Sequence, residues 1–127
     1  MATTTAPRET VDCKAAIERL RQLLEPALRA TGAHVCWVFG SHARGTADAY
    51  SDLDVIVVAP TGRAFFGRHR DYLDAIVAAP APVQMLINTP EEFARMREEE
   101  RPFLVHALDG ARLIYERHPG EGSPRRG

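Results

Sequence analysis

Residues 33–59 read AHVCWVFGSHARGTADAYSDLDVIVVA, and the interpretation of the rest of the chain starts from this stretch. It contains two apolar runs, at 33–39 and 53–59, which are rich in β-branched residues and have the length of β-strands. Because the second run is almost continuously apolar, it predicts a strand that is buried on both faces. Gly40 ends the first run abruptly, so a short polar connection joins the two predicted strands.

Helices and further strands are predicted on both sides of this stretch. From about Glu9, a helix is indicated by apolar residues at helical spacing, namely Ile17, Leu20, Leu24 and Leu28. Pro26 predicts either a kink or a second short segment, and Gly32 is a natural C-terminal cap. Downstream, the pattern predicts a helix over 64–79, a strand over 83–87, helices from Thr89 and at 103–108, and a strand over 112–115.

The helix at Thr89 has the clearest start signal. Thr89 is predicted as the N-cap, Pro90 as the first helical residue, and Glu92 as the partner that completes a capping box. The order of elements, α-β-short α-β-α-β-α-α-β, predicts one α/β (α+β) domain over 9–117. Residues 1–8 are expected to form a flexible start and residues 118–127 a disordered tail.

Length, composition and charge already exclude several classes of function. The 127 residues suffice for one domain, and a net charge of −1 shows no basic excess that would indicate a nucleic-acid partner. Neither a signal peptide nor a membrane-spanning run is expected. Cys13 and Cys36 are interpreted as buried thiols rather than a disulfide framework, so a soluble cytoplasmic protein is expected.

A pair of carboxylates begins the second strand. Asp52 and Asp54 are two residues apart, so in a strand they lie on one face, about 6–7 Å apart. At that distance, two negative charges repel by roughly 3 kcal/mol at an effective dielectric of about 20. Mg²⁺ or Mn²⁺ would remove this repulsion, because both ions prefer carboxylate, water and phosphate oxygens. Alternatively, both acids lie in a solvated loop before the strand.

The polar connection ahead of the acids has the features of a phosphate-binding turn. Gly40 lets a ligand approach the backbone, and Ser41 adds a hydroxyl to the amide groups of the turn. Arg44 either binds a phosphate or holds the loop through Asp48. Ser51 is counted with the phosphate-binding residues and is predicted to cap or brace the turn before the acid pair.

Residues 40–55 match the pattern G-S-x-A-R-G-x5-S-D-L-D-V, which resembles the signature of the minimal nucleotidyltransferases of the DNA polymerase β-like superfamily. Weaker similarity extends through 89–93 and through the closing strand region at 109–115. The resemblance therefore covers nearly the whole chain except the tail. It implies a short mixed β-sheet flanked by helices, which agrees with the predicted order of elements.

The resemblance also implies an activity. Family members transfer a nucleoside monophosphate to an acceptor hydroxyl and release pyrophosphate, and AMP from ATP is the expected case here. Gly40 and Ser41 would hold the β- and γ-phosphates. Asp52 and Asp54 would be the catalytic acids and would bind Mg²⁺ or Mn²⁺, which neutralises the charge developing on the α-phosphate. Positioning and electrostatics do most of the work in such transfers.

One residue departs from the family pattern. Family members carry a third carboxylate on the next strand, and the anchor at 89–93 places Gln84 at or near that position. Glutamine offers an oxygen ligand, but it has no negative charge and cannot act as a base. A loss of about 4 kcal/mol in the transition state would slow the reaction roughly a thousandfold. The alternative function is therefore a catalytically weakened nucleotide-binding or partner-binding module.

No acceptor-binding domain is expected in the chain, so the acceptor is expected to come from a partner. Stand-alone minimal nucleotidyltransferases resemble the antitoxin half of a pair with a helical HEPN-type toxin, which they modify with AMP. The resemblance therefore implies a HEPN-type partner or a homodimer. An aminoglycoside acceptor is not expected, because antibiotic-modifying relatives carry an additional helical domain.

Histidines and aromatic residues near the motif are given structural roles. His42 occupies a variable position of the family pattern and is interpreted as a solvent-exposed residue, in preference to a contact with the nucleotide. Trp37 and Phe39 are assigned to core packing in preference to base stacking. The remaining histidines show no metal-ligand spacing and are interpreted as structural or surface residues: His34, His69, His106 and His118.

Overall fold

The computed structural model describes residues 11–117, except for the side chain of Phe66. The expected flexible start at 1–8 and the expected disordered tail at 118–127 lie outside the described residues. The described helices are α1 (Cys13–Ala30), α2 (Ser41–Arg44), α3 (Leu73–Ala78), α4 (Pro90–Glu98) and α5 (Pro102–Leu108). The strands are β1 (Val35–Phe39), β2 (Leu53–Val58), β3 (Val83–Asn88) and β4 (Arg112–Glu116).

The predicted order of elements is confirmed, with one difference between β2 and β3. The helix predicted over 64–79 begins as a 3-10 helix, Phe65–Tyr72, and becomes α-helical only in α3. Within the 3-10 segment, the Gly67 N–H donates to the Ala64 carbonyl three residues earlier, at 2.8 Å. A glycine in this position lowers the propensity for α-helix, which explains the tighter turns.

The four strands form one mixed sheet in the order β3-β2-β1-β4, which confirms the expected short mixed sheet flanked by helices. Strand β1 runs antiparallel to both β2 and β4, whereas β2 and β3 are parallel. The register sets Phe39 opposite Asp54 on one side and Gln84 opposite Asp54 on the other. Asp54 therefore lies in the middle of the sheet, between two neighbouring strands.

Strand β2 is buried on both faces, as predicted. Val55 and Val57 belong to the apolar cluster that packs under α1, whereas Ile56 and Val58 belong to the cluster under α4 and α5. Side chains alternate along a strand, so Asp54 shares the face of Ile56 and Val58. The candidate site therefore lies on the face of the sheet that α4 and α5 only partly cover.

Helix α1 begins at Cys13, later than the predicted start, because Asp12 caps it by accepting the Ala15 N–H at 3.0 Å. It is one helix that continues through Pro26, so the predicted second segment is not formed. Gly32 follows the helix with φ +71° and donates to the Arg29 carbonyl, which confirms its capping role. Among the described helices, none combines the length and apolar character that a membrane span requires.

The aromatic residues of β1 and both cysteines pack as expected. Trp37 stacks on Phe93 of α4 with ring centres 5.5 Å apart, and Phe39 meets Phe103 of α5 edge-on at 5.9 Å. The two cysteines are buried and unpaired: Cys13 and Cys36. These contacts fix α4 and α5 on the face of the sheet that carries Asp54.

The end of β3 is closed by a charged pair. Thr89 and Glu92 form the predicted capping box at the start of α4. Arg68, from the 3-10 helix, is 8% exposed and donates to both carboxylate oxygens of Glu92, at 2.6 and 3.1 Å. Its Nη1 also donates to the Ile87 carbonyl at 3.1 Å. The arginine thus ties the 3-10 helix to both β3 and α4.

Candidate active site

The connection between β1 and β2 folds into a single helical turn. Gly40 leaves β1 with φ +78°, and the Arg44 N–H donates to the Gly40 carbonyl at 3.1 Å. Gly45 ends α2 with φ +78°, and the Thr46 N–H donates to the Ser41 carbonyl at 2.9 Å. Both φ values lie in the left-handed region that glycine adopts without strain. The turn therefore sets Ser41 and the backbone amides of α2 directly after β1.

Gly40 also packs directly against the acid pair. A Cβ added at residue 40 would overlap Oδ2 of Asp54 and would lie 3.3 Å from its Cγ. The carboxylate excludes a side chain here independently of the backbone angle. The turn predicted to bind phosphate and the carboxylate predicted to bind metal are therefore in contact.

The surroundings of Asp54 compensate its negative charge only in part. Asp52 immediately precedes β2, Asp54 lies within it, and both are half-buried. Burial raises the pKa of the Asp54 carboxyl, and the negative charge of Asp52 raises it further. His42 and Arg44 lower the same pKa, but the first two effects prevail. A carboxylate in this situation is one that a bound cation would stabilise.

Gln84 joins the acids from the neighbouring strand. It lies opposite Asp54 in the parallel ladder, and its Nε2 donates to Oδ2 of Asp52 at 3.2 Å. The structure thus brings Gln84 together with both acids, where the sequence comparison expected a third carboxylate. A side-chain amide now lies against Asp52 in that place.

Ser51 braces the turn that leads into the acids. Its hydroxyl accepts the Asp48 N–H at 3.0 Å and lies 3.2 Å from Oδ1 of Asp48, to which it donates. The Tyr50 N–H also donates to Asp48 Oδ1, at 2.9 Å. Arg44 is exposed, and its positive charge acts on Asp54. Ser51 thus holds the loop over 48–51 by hydrogen bonds, and the cationic side chain of Arg44 lies on the turn before it.

Comparison with known proteins assigns the chain to a family. The model of the nucleotidyltransferase domain matches residues 16–109. The chain belongs to this family. A toxin–antitoxin crystal structure with AMP-PNP is similar in fold, with a TM-score of 0.56 and 15% identity over 80% of this chain and 77% of that one. A Sulfolobus solfataricus protein assigned to the nucleotidyltransferases is also similar, with a TM-score of 0.52 and 17% identity over 86% of this chain and 91% of that one. No curated protein matches the chain.

The protein is therefore a nucleotidyltransferase, which confirms the resemblance found in residues 40–55. For this enzyme class, the donor set at the site fits a hard cation. Within residues 11–117, no group of three or more His, Cys, Asp or Glu side chains is placed to hold a metal. Asp52 and Asp54 nevertheless offer carboxylate oxygens, and Gln84 offers an amide oxygen. Mg²⁺ is typically bound by one or two carboxylates together with waters and substrate phosphates, so this set suffices for one ion.

The prediction that His42 is exposed is wrong. The side chain is 2% exposed, and its Nδ1 lies 3.0 Å from the backbone carbonyl oxygen of Asp52. In the single turn of α2, His42 and Ala43 share the face that is buried, whereas Arg44 is exposed. An apolar alanine inside a polar loop was the available signal for that inward face. The other described histidines differ: His69 and His106 are exposed and His34 is half-buried, whereas His118 lies outside the described residues.

Proposed function

We propose that this nucleotidyltransferase transfers a nucleoside monophosphate, AMP from ATP, to an acceptor hydroxyl with Mg²⁺ or Mn²⁺ as its cofactor. The observation that carries this proposal is the contact between Gly40 and Asp54, which joins a turn suited to phosphate to a carboxylate suited to a metal. Because the two halves touch, a triphosphate on the turn would have its α-phosphate beside the acids.

The phosphate-binding residues are Gly40, Ser41 and Arg44. The left-handed Gly40 has no side chain to block a β- or γ-phosphate, and Ser41 adds a hydroxyl donor next to the backbone amides. Arg44 supplies the fixed positive charge of the turn. Ser51 supports binding indirectly, since its hydroxyl is engaged with Asp48 and keeps the following loop in shape.

In the proposed reaction, the acceptor oxygen forms a bond to the α-phosphorus. The bond from that phosphorus to the bridging oxygen breaks, pyrophosphate leaves, and the acceptor proton passes to solvent. Asp52 and Asp54 would hold the metal ion, which supplies positive charge to the phosphate oxygens as the transition state forms. The protein's own part is to hold the turn, the acids and the acceptor in one fixed geometry.

Gln84 supports a second candidate, a nucleotide-binding module with weakened chemistry. Its amide group donates a hydrogen bond to Asp52, and an amide cannot take a proton from the acceptor. Nucleotide and one metal ion could still bind to the remaining oxygens. In this candidate, the protein would bind ATP tightly and would act through the partner that it contacts.

The acceptor is proposed to be a second polypeptide, either a HEPN-type helical protein or another copy of this chain. Support comes from the similar fold of the toxin–antitoxin structure with AMP-PNP and from the single-domain architecture of the described residues. A cytoplasmic location is proposed as well. Two buried, unpaired cysteines are in keeping with a reducing compartment.

Incubation with α-labelled ATP, Mg²⁺ or Mn²⁺, and the product of the neighbouring gene tests the proposal. We expect label on the acceptor, dependence on the metal, and at least a thousandfold loss in Asp52→Asn and Asp54→Asn, or about 4 kcal/mol of transition-state stabilisation. Asp74→Asn, an exposed acid of α3, is the matched control and should retain the wild-type rate. Tight ATP binding without label transfer would favour the weakened module instead.

A further inference from the structure

We propose that His42 is a positioning residue, which fixes the phosphate-binding turn relative to the metal-binding acids through its hydrogen bond to the Asp52 backbone. The inference rests on the proposed function, because it concerns how the two halves of that site are held together. Its basis is the placement of one buried ring between two segments that lie ten residues apart along the chain.

The hydrogen bond has a defined direction. The ring atom Nδ1 lies 3.0 Å from the carbonyl oxygen of Asp52. A carbonyl oxygen can only accept, so Nδ1 carries the proton and donates it. The ring is 2% exposed, which keeps water from competing for this bond. A side chain of α2 thus holds the peptide group that carries one of the two acids.

This bond continues the sheet beyond the point where its backbone pairing stops. The antiparallel ladder of β1 and β2 ends at the pair Phe39 and Asp54, because Gly40 turns the chain into α2. Two residues further, a continuing ladder would set residue 41 opposite Asp52, but the helical turn prevents it. The His42 side chain reaches Asp52 from the turn instead. It therefore links the two segments where β1 no longer can.

The backbone at the acids is held from the opposite side as well. The Leu53 N–H donates to the Pro82 carbonyl, ahead of β3, at 2.7 Å. With His42 bound to the preceding carbonyl, the peptide between Asp52 and Leu53 is anchored to both neighbouring segments. Gly40 fixes Asp54 by close contact, and His42 fixes Asp52 by a hydrogen bond. Both acids are thus held in position by contacts with the same turn.

The space around the His42 ring is not completely filled. His42 borders a cavity of about 420 Å³, whose lining includes Ala15 and Ala16 of α1 and Pro80 and Ala81 ahead of β3. The same space gives room for a phenylalanine ring at this position. The effect of losing the hydrogen bond can therefore be measured without a loss of side-chain volume.

Two substitutions separate the hydrogen bond from packing. His42→Phe retains the ring volume and loses the donor, whereas His42→Asn loses volume but carries an amide nitrogen near the position of Nδ1. We expect kcat to fall about 10- to 100-fold in His42→Phe, with the KM for ATP raised about tenfold, and both constants to stay within about fivefold of wild type in His42→Asn. Thermal unfolding should show the reverse order, with His42→Asn the less stable variant. A role in packing alone predicts that kcat follows stability, and that result would overturn the proposal.

A binding measurement provides a readout that needs no turnover. The Kd of an α,β-methylene analogue of ATP is measured by calorimetry with Mg²⁺ and with EDTA. The Kd in EDTA divided by the Kd in Mg²⁺ reports how strongly the metal improves nucleotide binding. We expect His42→Phe to lower this ratio about tenfold or more and His42→Asn to preserve it. If wild type shows the metal effect but transfers no label, the proposed function fails and the role of His42 is still tested. An unchanged ratio in His42→Phe contradicts the positioning role, whether or not the enzyme is active.

Discussion

The two ends of strand β3 carry polar clusters with opposite electrostatics. At its start, Gln84 lies beside Asp52 and Asp54, and burial with the neighbouring negative charge raises the pKa of the Asp54 carboxyl. At its end, hydrogen bonds from Arg68 lower the pKa of Glu92 to about 2, and the Thr89 N–H contributes in the same direction. One cluster holds an acid that is poorly compensated, whereas the other holds an acid that is fully paired.

The charged pair at the end of β3 stabilises the fold, whereas the acids at its start have charge available to a ligand. Arg68 uses Nε and both Nη atoms on Glu92 and on the carbonyls of Arg63 and Ile87, so its burial leaves no nitrogen without a partner. The acids at the other end have only the amide of Gln84 and the nearby charges of Arg44 and His42. Poorly compensated charge of this kind is typical of a functional site.

Apart from removal of the two acids themselves, the largest change is expected from Gln84→Glu, which would sharpen the contrast by adding a third carboxylate to the start of β3. The transfer rate should rise, by up to about a thousandfold, because the new carboxylate supplies the charge that the amide lacks. Without metal, the variant should unfold at a lower temperature than wild type, and Mg²⁺ should restore it. Label transfer and thermal unfolding with and without Mg²⁺ provide the measurements.

Gln84→Asp and Gln84→Asn form a matched pair for this experiment, since they share a length and differ in charge. Only the aspartate variant should gain activity. An equal rate in both would mean that charge at residue 84 does not limit the reaction.

A smaller effect, about a hundredfold loss of transfer, is expected from Gly40→Ala, which breaks the contact between turn and acid. The added methyl group meets Asp54 Oδ2, and a backbone at φ +78° is strained for alanine, at a cost of about 1–3 kcal/mol in stability. Gly45→Ala is the control, because Gly45 has the same φ but no atom within 4 Å of the added Cβ. It should lose stability and keep most of its activity. Similar activity losses in the two variants would show that strain alone, not the Asp54 contact, matters.

At the paired end, Glu92→Gln should cost about 2 kcal/mol in the free energy of unfolding. The substitution leaves the buried Arg68 charge without its carboxylate. Breaking a fully buried ion pair costs roughly 3–5 kcal/mol, and the loss here is smaller because Glu92 is partly exposed. Transfer activity per folded molecule should not change. Urea unfolding measures the effect, with the exposed Glu91→Gln on the same helix as control. A loss of activity without loss of stability would place the Arg68 pair in the functional site after all.

The smallest effect is a pH dependence of that same pair. The pKa of Glu92 is about 2 in the folded chain against an ordinary 4.5, so its stabilisation is fully present above pH 4.5 and is lost as the pH falls towards 2. Arg68 stays protonated throughout this range. The difference in urea midpoint between wild type and Glu92→Gln should therefore shrink steadily below pH 4.5. A difference that stays constant down to pH 2.5, roughly, would assign the stabilisation to packing rather than to charge.

Much of the fold could be predicted because its signals are local. The apolar run at 53–59 predicted a strand buried on both faces, and Thr89 with Glu92 predicted the capping box. Both depend on residues only a few positions apart, where periodicity and hydrogen-bonding capacity can be read directly. The 3-10 helix was not predicted, and for Pro26 the sequence left open whether the helix kinks or a second segment starts, of which the second is not formed. Propensity is a weak guide there, since packing against the sheet overrides it.

The candidate site divides in the same way. The sequence by itself determined that Gly40, Ser41, Asp52 and Asp54 belong to one short motif, because the spacing of residue types carries that information. Only the tertiary structure decided that Gln84 hydrogen-bonds Asp52 and that His42 is buried against the Asp52 backbone. Those contacts depend on the pairing of β2 with β1 and β3, and pairing is a long-range choice made by the packing of both apolar faces at once.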